Sequence, residues 1–358
     1  MKKICILFLF VIILSDSVKS QSVSTEKDMK AYLFTYFSDP THSLFMAVSR
    51  DGYTFTAVNE GQPVLAGDTI ADQKGIRDPH IYRGPDGAFY LAMTDLHIFG
   101  KQKGYRTTEW ERDGKKFDWG NNRGFVLMKS NDLINWTCSK VRINETFPEL
   151  DTIGCAWAPQ TTYDPVARKM MLYFTMRFGK GRTKLYYSYT DDDFTRLTTA
   201  PRLLFEYPNP DIQVLDADIT PMPDGRYCMT YVAQENPGGI KMAFSDSIHA
   251  GYQYQPDWID FEPGSCEAPN MWKRIGEDKW VLMYDIFSIK PHNFGFCETS
   301  DFKTFTNLGH FNEGVMKITN AVSPKHGAVI QITAEEADRL ETYWKENKRI
   351  YEFEEVLH

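Results

Sequence analysis

The sequence predicts an all-β fold, a five-bladed β-propeller closed by strands from both chain ends and followed by a short C-terminal helix. Three observations predict it. Five segments share one pattern: "SLFMAVSRDGYTF", "GFVLMKSNDLINW", "KLYYSYTDDDFTRL", "IKMAFSDSIHAGY" and "FGFCETSDFKTF". Each is an apolar strand, then Ser or Thr with Asp close behind, then usually an aromatic residue. Short Asp and Ser side chains hydrogen-bond their own backbone and so fit a tight turn. Upstream of the later copies lie "DPHIYRGPDGAFYLAMTD", "WAPQTTYDPVARKMMLYFTMR", "DADITPMPDGRYCMTYVA" and "EAPNMWKRIGEDKWVLMYD". In three of these, Asp-Gly or Gly-Glu-Asp separates two β-rich runs, a hairpin signal. The fifth unit is split: "AYLFTYF", "SLFMAVS" and "FTAV" stand near the N-terminus, and the strand "HGAVIQIT", residues 326 to 333, arrives alone near the C-terminus. Joining them gives a fifth four-stranded sheet and leaves no open edge between first and last units. A β-sandwich with irregular insertions is the plainer alternative, and it does not account for the repeat.

The elements follow in chain order. Residues 1–20 read MKKICILFLFVIILSDSVKS: two lysines, an apolar run too short to span a bilayer, and a small-residue exit. That pattern is a secretory signal peptide. Its loss removes Lys2, Lys3, Lys19 and Asp16, a net +2, and takes the formal charge from -8 to -10. An exported, soluble chain without membrane insertion is expected, and an acidic surface argues against a nucleic-acid partner. Cys138, Cys155, Cys228, Cys266 and Cys297 then remain, an odd number without a CxxC, so neither a zinc site nor a full disulfide framework is indicated. The propeller is expected over 30–333. After it, "TAEEADRLETYWKEN" has a capping-box spacing from Thr333 to Glu336 and apolar residues at helical intervals. Residues 334–358 are therefore expected to form a helix and tail.

In a propeller the innermost strand of each blade lines the central channel, so the starts of those strands converge. The residues expected there are Asp78, Trp157, Asp216, Glu267 and His326. Each has a plain structural reading alone. Asp78 could be a turn acid paired with Arg77, Asp216 or Asp218 could solvate an edge, Glu267 could lie against a lysine, His326 could be a core histidine, and Trp157 could be packing. Three acids at equivalent blade positions are harder to explain as three accidents. Converging carboxylates suit glycoside hydrolysis with inversion, in which one carboxylate activates water and one carboxylic acid protonates the leaving oxygen across a gap of roughly 6.5–9.5 Å. A third acid can hold the donor's proton by like-charge repulsion.

Taken together, "RDPHIYRGPDGAFYLA", "WAPQTTYD", "LDADITPMPDGRY", "CEAPNMWKRIGEDKWVLMY" and "SPKHGAVI" resemble glycoside hydrolase family 43 over about residues 30 to 345. The resemblance implies a five-bladed propeller enzyme that cuts arabinose, xylose or sometimes galactose linkages with inversion. It places the general base on Asp78, the pKa-modulating acid on Asp216 with Asp218 as second choice, the general acid on Glu267, and the last-blade histidine near the channel bottom on His326. Trp157, Asp218, His326 and Arg77 are the expected substrate-binding residues. Two departures stand out. The acid motif is Glu-Ala-Pro where the family has Glu-Gly-Pro, and Lys325 precedes the last-blade histidine where related sequences often carry Arg. The family's active-site arginine is not placed by sequence.

No cofactor is required for this chemistry; a structural calcium ion in the central channel is left open. The partner expected is an oligosaccharide or polysaccharide. The insertion at residues 97–124, rich in Trp, Tyr, Arg and Asn, reads either as a lid that makes the pocket blind and the action exo, or as a solvated surface loop. Single terminal sugars are the expected products, α-L-arabinofuranosides first, with β-xylosides or galactosides behind. Two other readings compete: a fructoside-cleaving retaining enzyme of family 32, whose nucleophile would have to be Asp39, and a carbohydrate-binding propeller without catalysis.

Overall fold

The computed structural model describes residues 24–105, 112–321 and 323–351; the expected signal peptide and the end of the tail lie outside them. Five antiparallel sheets follow one another around a ring. The first blade runs Ile76–Arg83, Phe89–Asp95, Gly124–Ser130 and Thr137–Arg142, and the next three repeat that order from Ile153–Asp164, Val214–Pro221 and Cys266–Lys273. The fifth is closed from both ends as expected. Lys325–Thr333 is its innermost strand and pairs with Met29–Phe37, which pairs with Leu44–Ser49 and then Thr54–Ala57. The expectation of four strands there falls short by one: Lys317–Thr319 adds parallel to Thr54–Ala57 and covers that edge. The innermost strands pack against one another in turn, including Lys325–Thr333 against Ile76–Arg83, which closes the circle.

The turn chemistry of the repeat is visible atom by atom. Asp51 Oδ1 accepts from the N–H groups of Tyr53 and Thr54, Asp132 from Ile134 and Asn135, and Asp301 from Lys303 and Thr304. These bonds hold Asp132 and Asp301 ionised down to about 2. The C-terminal helix Ala334–Glu346 begins with the expected capping box, Thr333 Oγ1 accepting from Glu336 N–H and Glu336 accepting from Thr333 N–H. Its Ala337, Leu340 and Trp344 are buried against the first and fifth blades. All five described cysteines are free thiols. Among the described residues no helix is long and apolar enough to cross a membrane.

Every innermost strand carries a β-bulge at the same place. The register slips between Arg77 and His80, Trp157 and Gln160, Leu215 and Asp218, Glu267 and Asn270, and again beside Lys325 and Gly327. The extra residue is Asp78, Ala158, Asp216, Ala268 or His326, and each has a left-handed φ, from 28° to 57°. A non-glycine residue in that region is strained and persists only where its surroundings over-determine it. Here the surroundings are hydrogen bonds from the neighbouring blade. The bulge N–H of Ala158 donates to Thr94 Oγ1 at 2.8 Å, that of Asp216 to Thr175 Oγ1 at 2.9 Å, and that of His326 to Asp285 Oδ2 at 3.2 Å. The N–H of Ala268 donates to the carboxyl of Asp216.

Three residues further along, a second ring of pins repeats the device. Thr161 N–H donates to His80 Nδ1 at 3.2 Å, Ile219 N–H to the Tyr173 hydroxyl at 3.0 Å, Met271 N–H to Asp218 Oδ2 at 2.8 Å, and Val329 N–H to Asn270 Oδ1 at 2.9 Å. Asn270 also donates to Asp218 Oδ1 at 3.2 Å, so it joins three blades. Replacing it by leucine strands a buried N–H and a buried carboxylate oxygen. Asn270→Leu is expected to lower the stability by about 2–4 kcal/mol in urea unfolding; a loss below about 0.5 kcal/mol would show that the ring does not hold the blades together.

Candidate active site

The bulges sort the expected site residues into two layers, and this corrects one expectation. Asp78, Asp216 and His326 occupy the bulge position itself, whereas Glu267 and Trp157 stand one residue earlier, level with Arg77, Leu215 and Lys325. The three acids are thus not at equivalent positions. The cause is the extra residue, which turns two successive side chains towards the channel mouth where a regular strand would turn one. Ala268 explains its own motif in the same way. It sits at φ 57° and is fully buried, so its methyl packs within the protein and is not cleared for a sugar.

Asp78 is buried beside His326, whose Nδ1 lies 3.1 Å from Asp78 Oδ1, and Thr94 donates its hydroxyl to Asp78 Oδ2 at 2.7 Å. Burial raises the Asp78 carboxyl, but His326, Arg77 and Thr94 outweigh it and hold the group far below the usual carboxylate range. Burial works against a charge on His326 too, and Asp78 and Asp216 overcome it, so the imidazole is pushed up. Arg77 is not simply the partner of Asp78: its guanidinium bonds Asp39 at 2.8 Å and stays 4.0 Å from Asp78.

Asp216 is fully enclosed and pushed up to about 7 by burial, with the charges of Glu267 and Asp78 adding to the shift and His326 opposing it. Below that pH it is a neutral carboxyl, so the like-charge repulsion expected of it operates only once it ionises. Asp218 lies in the deeper ring and spends both carboxylate oxygens on Asn270 and Met271. The nearest histidine there, His80, sits 3.8 Å away and is held neutral, pushed down to about 3 by burial and by the charge of His326.

Glu267 is the most accessible of these acids, its side chain 30% exposed, with Lys325 Nζ at 3.3 Å from Oε1. Lys325 also approaches Asp285 Oδ2 at 3.8 Å and Asp39 Oδ2 at 3.9 Å. Sequence reasoning missed Asp285 and Asp39 as members of this cluster. A signal for Asp285 was present: it is an acid in the apolar strand "WVLMYDI", at the place that Thr94 and Thr175 take in the first two blades. Asp39, the nucleophile that the fructoside reading would require, is held by Arg77, by Lys325 and by His292 at 3.4 Å.

Trp157 is half-buried at the mouth. Its indole N–H donates to Gly120 O at 2.9 Å, Arg177 lies over its ring at 4.7 Å, and Trp119 meets it edge-on at 5.9 Å. Arg177 in turn donates to the carbonyls of Phe117 and Trp119. The described part of the 97–124 insertion is therefore fastened to the channel mouth, and Trp119 is left 64% exposed. A cavity of ≈ 710 Å³ opens at the other end of the channel, beyond the deeper ring, and is lined by His80, Asp218, Asn270 and Trp272; Asp78, Asp216 and Glu267 do not line it. The candidate site is placed at the mouth, where several buried acids with shifted carboxyls converge on His326 and Lys325.

Such a ring of acids at one mouth of a five-bladed propeller defines a glycoside-hydrolase-type channel. The family model described as "Probable glycosyl hydrolase domain", of the family-43-related type, matches residues 27–338. The chain belongs to the family-43-related glycoside hydrolases. Among solved structures it is similar to xylan β-1,4-xylosidase from Bacillus halodurans C-125 (13% identity, 81% of this chain and 54% of that one, TM-score 0.54). It is also similar to the GH43 BlXynB protein from Bacillus licheniformis (14%, 85% and 55%, 0.50) and to a bifunctional GH43-CE protein from Bacteroides eggerthii (12%, 78% and 33%, 0.52). At these identities the likeness is one of fold, and the chain spans about half or less of the length of these three structures. No match was found among curated proteins.

Asp218 gives a test of the site's electrostatics. It is pushed up to about 7 by burial, with the N–H of Met271 and the amide of Asn270 only partly offsetting this. A carboxyl raised on folding contributes its full stability below its unfolded value and loses it as pH rises towards 7. Asp218→Asn removes that loss. Relative to the wild type, the variant is expected to gain on the order of 2 kcal/mol in urea unfolding between pH 5 and pH 8; a pH-independent difference would contradict the assignment.

Proposed function

We propose that this protein is an exported, inverting exo-glycosidase that releases single terminal sugars, α-L-arabinofuranosides first, with β-xylosides or galactosides as the second choice. Asp78 is the general base and takes the proton of the attacking water. Glu267 is the general acid and gives its proton to the leaving oxygen. Asp216 tunes the charge between them, and the last-blade His326 positions Asp78. The observation that carries this reading is the contrast between two carboxyls of one mouth: Asp78 is enclosed and locked as an anion by His326 and Thr94, while Glu267 stands more open and reaches solvent. A base must be ionised before it meets water, and an acid must reach the glycosidic oxygen. Geometry and charge divide the roles between the two.

The fastening of Trp119 and Gly120 to Trp157 supports exo action, because it raises a wall of aromatic surface on the second-blade side of the mouth. Export rests on the leader sequence. The reading uses no cofactor. A calcium ion takes six to eight oxygen ligands, and the acceptor atoms of Asp218 and Asn270 in the deeper ring are already taken by N–H groups of neighbouring blades. We assign that ring to holding blades together.

A panel of nitrophenyl glycosides and the matching disaccharides tests the assignment. Asp78→Asn is expected to lose at least about 100-fold in kcat on both substrate types. Glu267→Gln should lose about as much on the disaccharide but far less on the nitrophenyl glycoside, whose leaving group needs little protonation. Equal losses of Glu267→Gln on the two substrates would remove Glu267 from the acid role, and an active Asp78→Asn would remove Asp78 from the base role.

A further inference from the structure

The acids of the mouth fix which way a substrate must lie. Asp78, Asp216 and His326 are buried, while the Glu267 side chain is 30% exposed. A bond cleaved between Asp78 and Glu267 therefore has its released sugar on the buried side, and its leaving group passes Glu267 towards solvent. What stands outward of Glu267 on its own blade follows from strand register. Glu267 is directly opposite Asp285 in the pairing of Cys266–Lys273 with Trp280–Ile286. The ladder runs one step beyond Ile286, because Phe287 N–H donates to Ser265 O at 3.1 Å. Opposed residues share a face of a sheet, and so do residues two apart on one strand. Phe287 is thus on the face of Glu267 and Asp285, two residues further out, and diagonal to Glu267 at a separation of about 7–8 Å that an aromatic side chain spans.

The second blade shows the reach of that position. There Trp157 is opposite Thr175, and Arg177, two residues on, lies over the Trp157 ring at 4.7 Å. In the first and third blades the corresponding residue is filled in or engaged: Leu96 is buried, and Gln234 accepts from the Gln213 amide at 3.1 Å. Of these four residues Phe287 is the one large apolar side chain left open, 42% exposed. The turn that follows it is tied to the fifth blade, since His292 gives its N–H to Ser323 Oγ at 3.1 Å and its ring lies 3.4 Å from Asp39. A lone exposed phenylalanine is ordinary on a protein surface; one held beside a proton donor, on the side where the leaving group emerges, is not. We propose that Phe287 is the platform for the leaving-group sugar. Its ring takes the apolar face of the first sugar residue beyond the cleaved bond, because a sugar presents C–H groups on one face and covering the open ring with them removes apolar surface from water. Phe287 is then a specificity-determining residue, and the substrate it selects is a terminal sugar carried on another sugar, in an oligosaccharide or a polysaccharide side chain, and not a glycoside of a small alcohol.

Phe287 has this role on the reading of Glu267 as proton donor, and the two can fail separately. Two substrate pairs share a released sugar and differ in the leaving group: α-linked L-arabinobiose against methyl α-L-arabinofuranoside, and xylobiose against methyl β-D-xyloside. Nitrophenyl glycosides do not serve here, since their own ring stacks as a sugar would. The ring of Phe287 is open and its ladder bond belongs to the backbone, so Phe287→Ala is expected to fold. It is expected to lower kcat/KM about 10-fold on the disaccharide and less than about twofold on the methyl glycoside, while Phe287→Trp keeps the wild-type preference. Where a methyl glycoside turns over too slowly to follow, its inhibition constant against disaccharide cleavage takes the place of its rate and should be unchanged by Phe287→Ala. Equal losses on both members of a pair, an undiminished disaccharide rate, or a loss that Phe287→Trp shares in full would overturn the platform. Glu267→Gln slows both members of a pair alike, because both leaving groups need protonation; a variant unimpaired on both would sink the donor role alone.

Discussion

The structure depends on one backbone constraint, the bulge that each innermost strand makes at the channel mouth. It inserts one residue, drives that residue into a left-handed conformation, and so brings Asp78, Asp216 and His326 to the mouth alongside Glu267 and Trp157, which stand one residue before it. Strain of that kind costs on the order of 1–3 kcal/mol per residue. It is offset by hydrogen bonds from the adjacent blade to the strained N–H groups, made by Thr94, Thr175, Asp216 and Asp285. Two of those four acceptors are acids of the candidate site. The same carboxyls that set the charge at the mouth therefore also hold the ring closed, and the electrostatics of the mouth and the assembly of the blades are not separable layers here.

This double duty accounts for the electrostatics. Asp216 and Asp285 are buried because they are pins, and burial is the first reason their carboxyls are pushed up to about 7. Asp78 escapes that fate because its oxygens face His326 and Thr94, and Thr94 is itself fixed as a donor by accepting the N–H of Ala158. A difference in the partners that face each carboxyl, with both buried, separates the ionised Asp78 from its protonated neighbours. Cations are few: Arg77 and Lys325 serve Asp39, Asp78, Asp285 and Glu267 between them, and the geometry of sharing sets what each acid can do.

Much of the architecture was legible in the sequence because its signals are local and repeated. Ser/Thr-Asp turns recur at each blade, Asp-Gly or Gly-Glu-Asp hairpins mark three of them, and a lone strand near the C-terminus has no partner unless the ring closes. The parallel strand Lys317–Thr319 was not legible, being three residues long and paired only through tertiary contact. The site was read less well, for a definite reason. A bulge shifts the side-chain alternation by one residue and has no residue type of its own: Asp, Ala and His all fill it here. Residues that share a mouth through different layers, such as Glu267 and Asp78, then look equivalent in sequence. Asp285 lies near the end of a strand that reads as core and Asp39 in the turn after another, Met29–Phe37, and only packing across blades brings them to Lys325.

The claim on which all of this converges is that blades one and four hold a base and an acid on opposite sides of a sugar, far enough apart to admit a water. Proton NMR of the first anomer released from a cleaved glycoside tests it most directly. Inversion of the anomeric centre is the predicted result; retention would require a covalent intermediate and a nucleophile in contact with the sugar, which contradicts the roles given to Asp78 and Glu267.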